Sequence, residues 1–125
     1  MDRTDAVRLF ESRRDAWLRE DAEAYLALFA DDVVLQVPGR EPVVGISAYE
    51  ELVRASLGHV RPVRFDFHEL AVHGDVVLAE WSIDLEVRAD GRPISYRGMS
   101  VCEVAEGRIR TWREYYDPAD LRPAP

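Results

Sequence analysis

Residues 77–87, VLAEWSIDLEV, alternate in character: Val77, Ala79, Trp81, Ile83, Leu85 and Val87 are apolar, and between them stand Leu78, Glu80, Ser82, Asp84 and Glu86. Successive side chains of a strand point to opposite sides, so this pattern predicts a strand with one dry face and one wet face. A tryptophan in the dry set needs a covering layer. A one-residue slip in pairing would turn the whole apolar set outward, so the register is fixed too.

The covering layer is expected earlier in the chain. Helical spacing of Ala6, Val7, Phe10, Trp17 and Leu18 predicts a helix from about Thr4 to Glu20. Asp21 is the expected N-cap of a second helix, AEAYLALFA, with Tyr25, Leu28 and Phe29 on one side. VVLQV reads as a short strand ended by Pro38-Gly39. SAYE, Ser47 to Glu50, has capping-box spacing and predicts a third helix to about Gly58. Four β-rich stretches follow, near 63–72, 76–88, 93–105 and 108–116, separated by the short turns HGD, ADGR and AEG. Helices first and hairpin-linked strands after them predict an α+β fold, with helices on one face of an antiparallel sheet. At 125 residues the chain is long enough for one domain, residues 1–125, and too short for two.

Composition excludes several function classes. A net charge of -8 disfavours nucleic acid and anionic membrane surfaces as partners. The single cysteine, Cys102, leaves no internal disulfide and no cysteine-based zinc site, and His59, His68 and His73 have no metal-ligand spacing, so no metal is expected. No apolar run reaches membrane-span length and MDRTDAVRLF has no signal-peptide core, which makes the cytoplasm the expected address. All 16 basic residues are arginine, and neither lysine nor asparagine occurs. The codons of both are AT-rich, so the gene reads as GC-rich and bacterial; no lysine is available for Schiff-base chemistry.

The segment RTWREYYDPADL reads as a strand that breaks at Asp117-Pro118. Glu114 lies two residues from Trp112 and two from Tyr116, so it shares a strand face with both aromatics. Two readings stand. In one, that face lines a pocket, and desolvation raises the Glu114 pKa until the group trades protons near neutral pH. In the other, Glu114 is ion-paired to an arginine and structural.

The pieces REDAEAYLALFADDVVL, PVVGISAYEEL and AEGRIRTWREYYDPADL together resemble the NTF2-like superfamily of cone-shaped α+β domains, and within it the SnoaL-like branch. That branch includes polyketide cyclases, ketosteroid isomerases and limonene-epoxide hydrolases. The resemblance covers nearly the whole chain. It implies three N-terminal helices on a strongly curved, mainly antiparallel sheet, with a deep pocket between them. It also implies a small, largely apolar organic ligand, no cofactor, and a homodimer formed through the open sheet face. The chemistry it implies is cofactor-free acid–base work (isomerisation, cyclisation, dehydration or epoxide opening), with a non-catalytic binding or dimerisation module as the alternative.

The relatives' catalytic sets are not retained. The ketosteroid-isomerase base falls on Val37, and its two oxyanion donors fall on Arg13 and Ser100. The Arg and first Asp of the epoxide-hydrolase relay fall on Trp81 and Ile83, its Tyr and Asn on Leu35 and Val37. The last Asp of the relay is represented by the homologous acid Glu114. The catalytic candidates are therefore Glu114 with Arg14 or Arg13. On a helical wheel Arg14 lies near the middle of the Phe10–Trp17 stripe and Arg13 at its edge, whereas motif matching turns Arg13 toward the pocket; Arg14 is placed first. Trp17, Phe29, Trp81, Trp112 and Tyr116 are read as an aromatic cage, Val37 and Ile83 as pocket positions, and Tyr96 and Ser100 as hydroxyl donors. His68 is in a strand whose face the sequence does not assign, Asp31-Asp32 reads as a turn, and Cys102 as a small buried residue.

Overall fold

The computed structural model describes residues 1–122. Helices α1 (Arg3–Leu18) and α2 (Ala22–Leu26) lead into strand β1 (Phe29–Gln36) and the short β2 (Val43–Val44). Helix α3 (Ile46–His59) follows. Then come β3 (Val60–His73), β4 (Val76–Val87), β5 (Pro93–Ala105) and β6 (Arg108–Tyr116), with a 3₁₀ turn at Pro118–Leu121. One six-stranded sheet has the order β2-β1-β6-β5-β4-β3. Its pairs are antiparallel except β1 with β6, which run parallel. This is the α+β architecture expected from helices followed by hairpins. Among the described residues, no helix is long and apolar enough to cross a membrane.

Strand β4 has the anticipated dry face, with Val77, Ala79, Trp81, Ile83, Leu85 and Val87 all buried. Asp84 stays on the opposite face, where its Oδ2 lies 3.3 Å from Arg64 Nε. The sheet bends because β3 departs from regular pairing with β4 twice, between Pro62 and Arg64 and between Phe67 and Glu69. Extra residues in one strand bend it and increase its twist. His68 falls in the second irregularity, which is why simple alternation assigns it no face. Its Nε2 lies 2.7 Å from Ser82 Oγ, at an exposed position.

Helix α1 begins two residues before Asp5, at a capping box: Asp2 Oδ1 accepts from the Asp5 N–H at 2.8 Å, and Asp5 Oδ2 accepts in return from the Asp2 N–H at 3.4 Å. The capping box expected at Ser47–Glu50 does not form. Gly45 is the N-cap of α3, with φ 90°, and no side chain caps it. Its N–H donates to Val33 O at 2.7 Å, tying the helix start to β1, and a φ in that region favours glycine. Glu50 instead accepts from Arg54 Nε at 2.8 Å. Helix α2 is shorter than read: Phe29 leaves it for β1 and pairs with Ile109, because sheet pairing outweighs local helix propensity. Asp31 and Asp32 lie within β1, at the irregular part of its pairing with β6, and do not form a turn.

The mid-sheet glycine of β5 is a packing requirement. A Cβ on Gly98 would press into the carbonyl oxygen of Tyr115 and lie 3.0 Å from both Trp81 Cη2 and Tyr116 Cβ. A backbone carbonyl held in a ladder cannot step aside. Gly98→Ala is expected to destabilise the fold by about 1–3 kcal/mol, read from the urea midpoint; an unchanged midpoint would contradict this packing.

Candidate functional site

A pocket of about 130 Å³ lies between the helices and the concave sheet. Helix α1 supplies Arg13 and Trp17, α2 supplies Tyr25, and α3 supplies Tyr49, Leu52, Val53 and Ser56. Leu35 comes from β1 and Val37 from just beyond its end, and Phe65, Ile83, Tyr96 and Glu114 from β3 to β6. The walls are thus mostly aromatic and aliphatic, with Arg13 and Glu114 as their charged members.

Glu114 reaches the pocket because β6 alternates and Trp112 faces the same way. Its Oε1 accepts a hydrogen bond from Trp112 Nε1 at 2.8 Å, and its side chain is 17 % exposed. Arg13 Nη2 lies 4.0 Å from the same oxygen. Burial raises the Glu114 pKa above the ordinary carboxylate value; the Arg13 charge and the Trp112 N–H pull the other way without cancelling it.

Arg13 is only 4 % exposed. Its guanidinium carbon stands 4.1 Å from the Trp112 ring centroid, 5.1 Å from that of Phe65 and 5.4 Å from that of Tyr25, so aromatic faces replace much of its hydration. Burial alone pulls its pKa down, but the phenols of Tyr25 and Tyr49 and the Glu114 carboxyl outweigh that, and the net direction is up. The cation is permanent. Tyr25 and Tyr49 share a buried hydrogen bond of 2.7 Å between their hydroxyls. Burial is also the main reason the Tyr49 and Tyr96 phenols are raised and stay neutral.

Among the described residues, three buried donors find no acceptor in the protein: Arg13 Nε, Arg13 Nη1 and Trp17 Nε1. A buried donor left unpaired costs about 1–3 kcal/mol, and more when it is charged. Both residues line the same pocket.

Of the catalytic and ligand-contact candidates named from the sequence, Glu114, Arg13, Trp17, Val37, Ile83 and Tyr96 line this pocket and the others do not. Arg14 is the clearest correction. It bonds Asp15 Oδ1 at 3.0 Å and its side chain is 34 % exposed. The buried stripe of α1 is Ala6, Leu9, Phe10, Arg13 and Ala16, which puts Arg13 at its centre; leaving out Leu9 and Ala16 displaces that centre by about one residue, or 100°. The aromatic cage also dissolves. Phe29 packs on Tyr25 and Tyr49 behind the pocket wall. Trp81 is core and donates to the buried Ser100 Oγ at 2.7 Å, so Ser100 offers nothing to a ligand. Trp112 packs on Phe10 and acts on the site only through Arg13 and Glu114, while Tyr116 packs on Trp81 and Tyr96. The α3 wall went unread, although Tyr49, Leu52, Val53 and Ser56 follow i, i+3, i+4, i+7 spacing, which marks one helix face.

Among the described residues no group of three or more His, Cys, Asp or Glu is placed to hold a metal ion. Cys102 is fully buried and burial pushes its thiol up to about 12, which leaves it unreactive.

Comparison with known proteins puts this geometry in context. No curated protein matches the chain. Among solved structures, a Bacillus subtilis protein described as a candidate isomerase superposes with a TM-score of 0.86 at 21% identity, over 94% of this chain and 90% of that one. An LEH-like epoxide hydrolase from M. tuberculosis gives 0.81 at 29% identity, over 94% and 86%. A Catenulispora acidiphila protein with a ketosteroid isomerase-like fold, in complex with trimethylamine, gives 0.80 at 15% identity, over 90% and 88%. The family model described as SnoaL-like domain matches residues 10–112, and the chain therefore belongs to the SnoaL-like domain family.

Proposed function

We propose that this SnoaL-like domain binds a small, largely apolar organic molecule in the pocket and performs cofactor-free acid–base chemistry on it. The reaction classes are isomerisation, cyclisation, dehydration or epoxide opening. Glu114 carries the proton. Arg13, fixed beside it, stabilises negative charge developing on the ligand. Tyr25, hydrogen-bonded to Tyr49, supplies a hydroxyl near the guanidinium.

The observation that supports this most is the pairing of Glu114 and Arg13 on an aromatic wall, with the carboxyl pKa raised by burial. A general acid–base works best with its pKa near the working pH, and desolvation is the ordinary means of bringing a carboxyl there. The partner arginine comes from α1. On the resemblance, the relay's Arg and first Asp would stand at Trp81 and Ile83, and here one is core and the other an aliphatic wall residue. The test is Glu114→Gln: turnover lost, ligand binding and folding kept.

A second reading, a binding module without turnover, is favoured by one observation. Leu35, Val37 and Ile83 offer no second carboxylate or histidine across the pocket from Glu114. Under that reading Glu114→Gln changes affinity only for ligands that touch the carboxyl.

We also read the domain as a cytoplasmic, bacterial homodimer. The open sheet face carries Met99 and Tyr115 as cross-strand partners, 45% and 58% exposed, with Val63 also exposed at 45%. An apolar patch of this kind suits an isologous contact better than bare water. Light scattering at micromolar concentration is expected to give twice the chain mass of 14.3 kDa; a clean monomer would contradict it.

A further inference from the structure

We propose that the ligand is an organic anion, a carboxylate on an apolar body about the size of one ring, whose oxygens are received by the free N–H groups of Arg13 and Trp17. The inference rests on the reading of this pocket as a ligand site and adds the charge and size of the occupant.

Arg13 and Trp17 are four residues apart on α1, which puts both side chains on one helix face. Arg13 Nε, Arg13 Nη1 and Trp17 Nε1 are all buried and none has an acceptor in the protein. Both side chains line the pocket. Three other polar groups of the pocket are already engaged. The Tyr25 and Tyr49 hydroxyls bond each other, and Glu114 Oε1 accepts from Trp112. What the protein does not supply is an acceptor for Arg13 Nε, Arg13 Nη1 and Trp17 Nε1. A carboxylate supplies two acceptor oxygens and forms charge-assisted bonds with guanidinium, which a neutral hydroxyl cannot match.

The charge count agrees. Arg13 from α1 and Glu114 from β6 are the charged groups that line the pocket; α2, α3 and β5 contribute the phenols of Tyr25, Tyr49 and Tyr96. An entering anion therefore faces one fixed cation and one carboxyl that burial already inclines to the neutral form. Size sets the rest. The volume of about 130 Å³ is close to that of the engineered apolar cavity of about 150 Å³ that takes up benzene, so one ring fills the enclosed part.

The experiment titrates the wild-type protein with benzoate and with benzyl alcohol, following arginine Nε–H and tryptophan Nε1–H signals by NMR and the heat of binding by calorimetry. Arg13→Met alone would leave the Glu114 carboxyl without its cation, so the charge is removed in the double variant Arg13→Met with Glu114→Gln. Trp17→Phe removes a single donor and keeps an aromatic ring. Benzoate is expected to shift the Arg13 and Trp17 signals saturably and to bind about tenfold or more tighter than benzyl alcohol. The double variant should lose that preference and Trp17→Phe should weaken it. Equal binding of the two compounds, or benzoate binding untouched in both variants, would overturn the anion proposal and leave the pocket reading in place. Failure of both compounds to bind would overturn both.

Discussion

Trp81→Ala is expected to cost about 3–5 kcal/mol of folding stability. Trp81 is 1% exposed and packs against Phe65, Tyr96 and Tyr116. Its indole N–H also satisfies Ser100 Oγ, so truncation opens a cavity and breaks a buried hydrogen bond together. The matched control is Glu86→Ala, on the other face of the same strand. Glu86 accepts from Arg61 Nη2 at 2.7 Å with both side chains more than 40 % exposed, and surface pairs of that kind contribute about 0–1 kcal/mol. Urea unfolding of the two variants checks the assignment of the sheet faces. A control as costly as the tryptophan would contradict it.

The second large effect falls on Glu114→Gln. The amide keeps the shape of the carboxyl and can still accept from Trp112 Nε1, but it exchanges no proton at working pH. Loss of turnover for any substrate is expected, with folding and ligand binding nearly intact. The stability effect has a definite sign. The folded-state pKa of Glu114 is raised, so its contribution is fully present below the unfolded value and is lost as pH rises through the folded one. Wild type should therefore lose stability relative to the Gln variant over that interval. At neutral pH the Gln variant should be no less stable.

Much of the fold was legible because it rests on period and punctuation. The alternation around Trp81 and the glycine turns define β4 to β6 with little ambiguity, and the inward set on β4 is the one the sequence implies. Where local signals compete with long-range pairing, the sequence misleads. Phe29 fits a helix until Ile109 is placed beside it, and SAYE has the letters of a capping box while Gly45 takes the cap because β1 holds its N–H.

The site was less legible, for a different reason. Whether Arg13 or Arg14 faces inward depends on the centre of a helical stripe, and two overlooked small or aliphatic positions, Leu9 and Ala16, decide it. An aromatic cage of tryptophans is one reading of the sequence, but tryptophans are also large. Size brings them into the core instead: Trp81 and Trp112 are both 1% exposed, and Trp17, at the edge, is the one whose N–H stays free. The link between Tyr25 and Tyr49 joins residues 24 apart in sequence, and no local pattern announces it.

The central claim is that Glu114 is a desolvated carboxyl of the pocket and not a surface ion pair. Its most direct test is the carboxyl titration of Glu114 by carbon NMR, with the Gln variant used to assign the signal. A pKa clearly above the ordinary value of about 4.5 is expected. A pKa at or below that value, together with a Gln variant less stable than wild type at neutral pH, would mean that the Arg13 ion pair dominates and would contradict the acid–base role of Glu114.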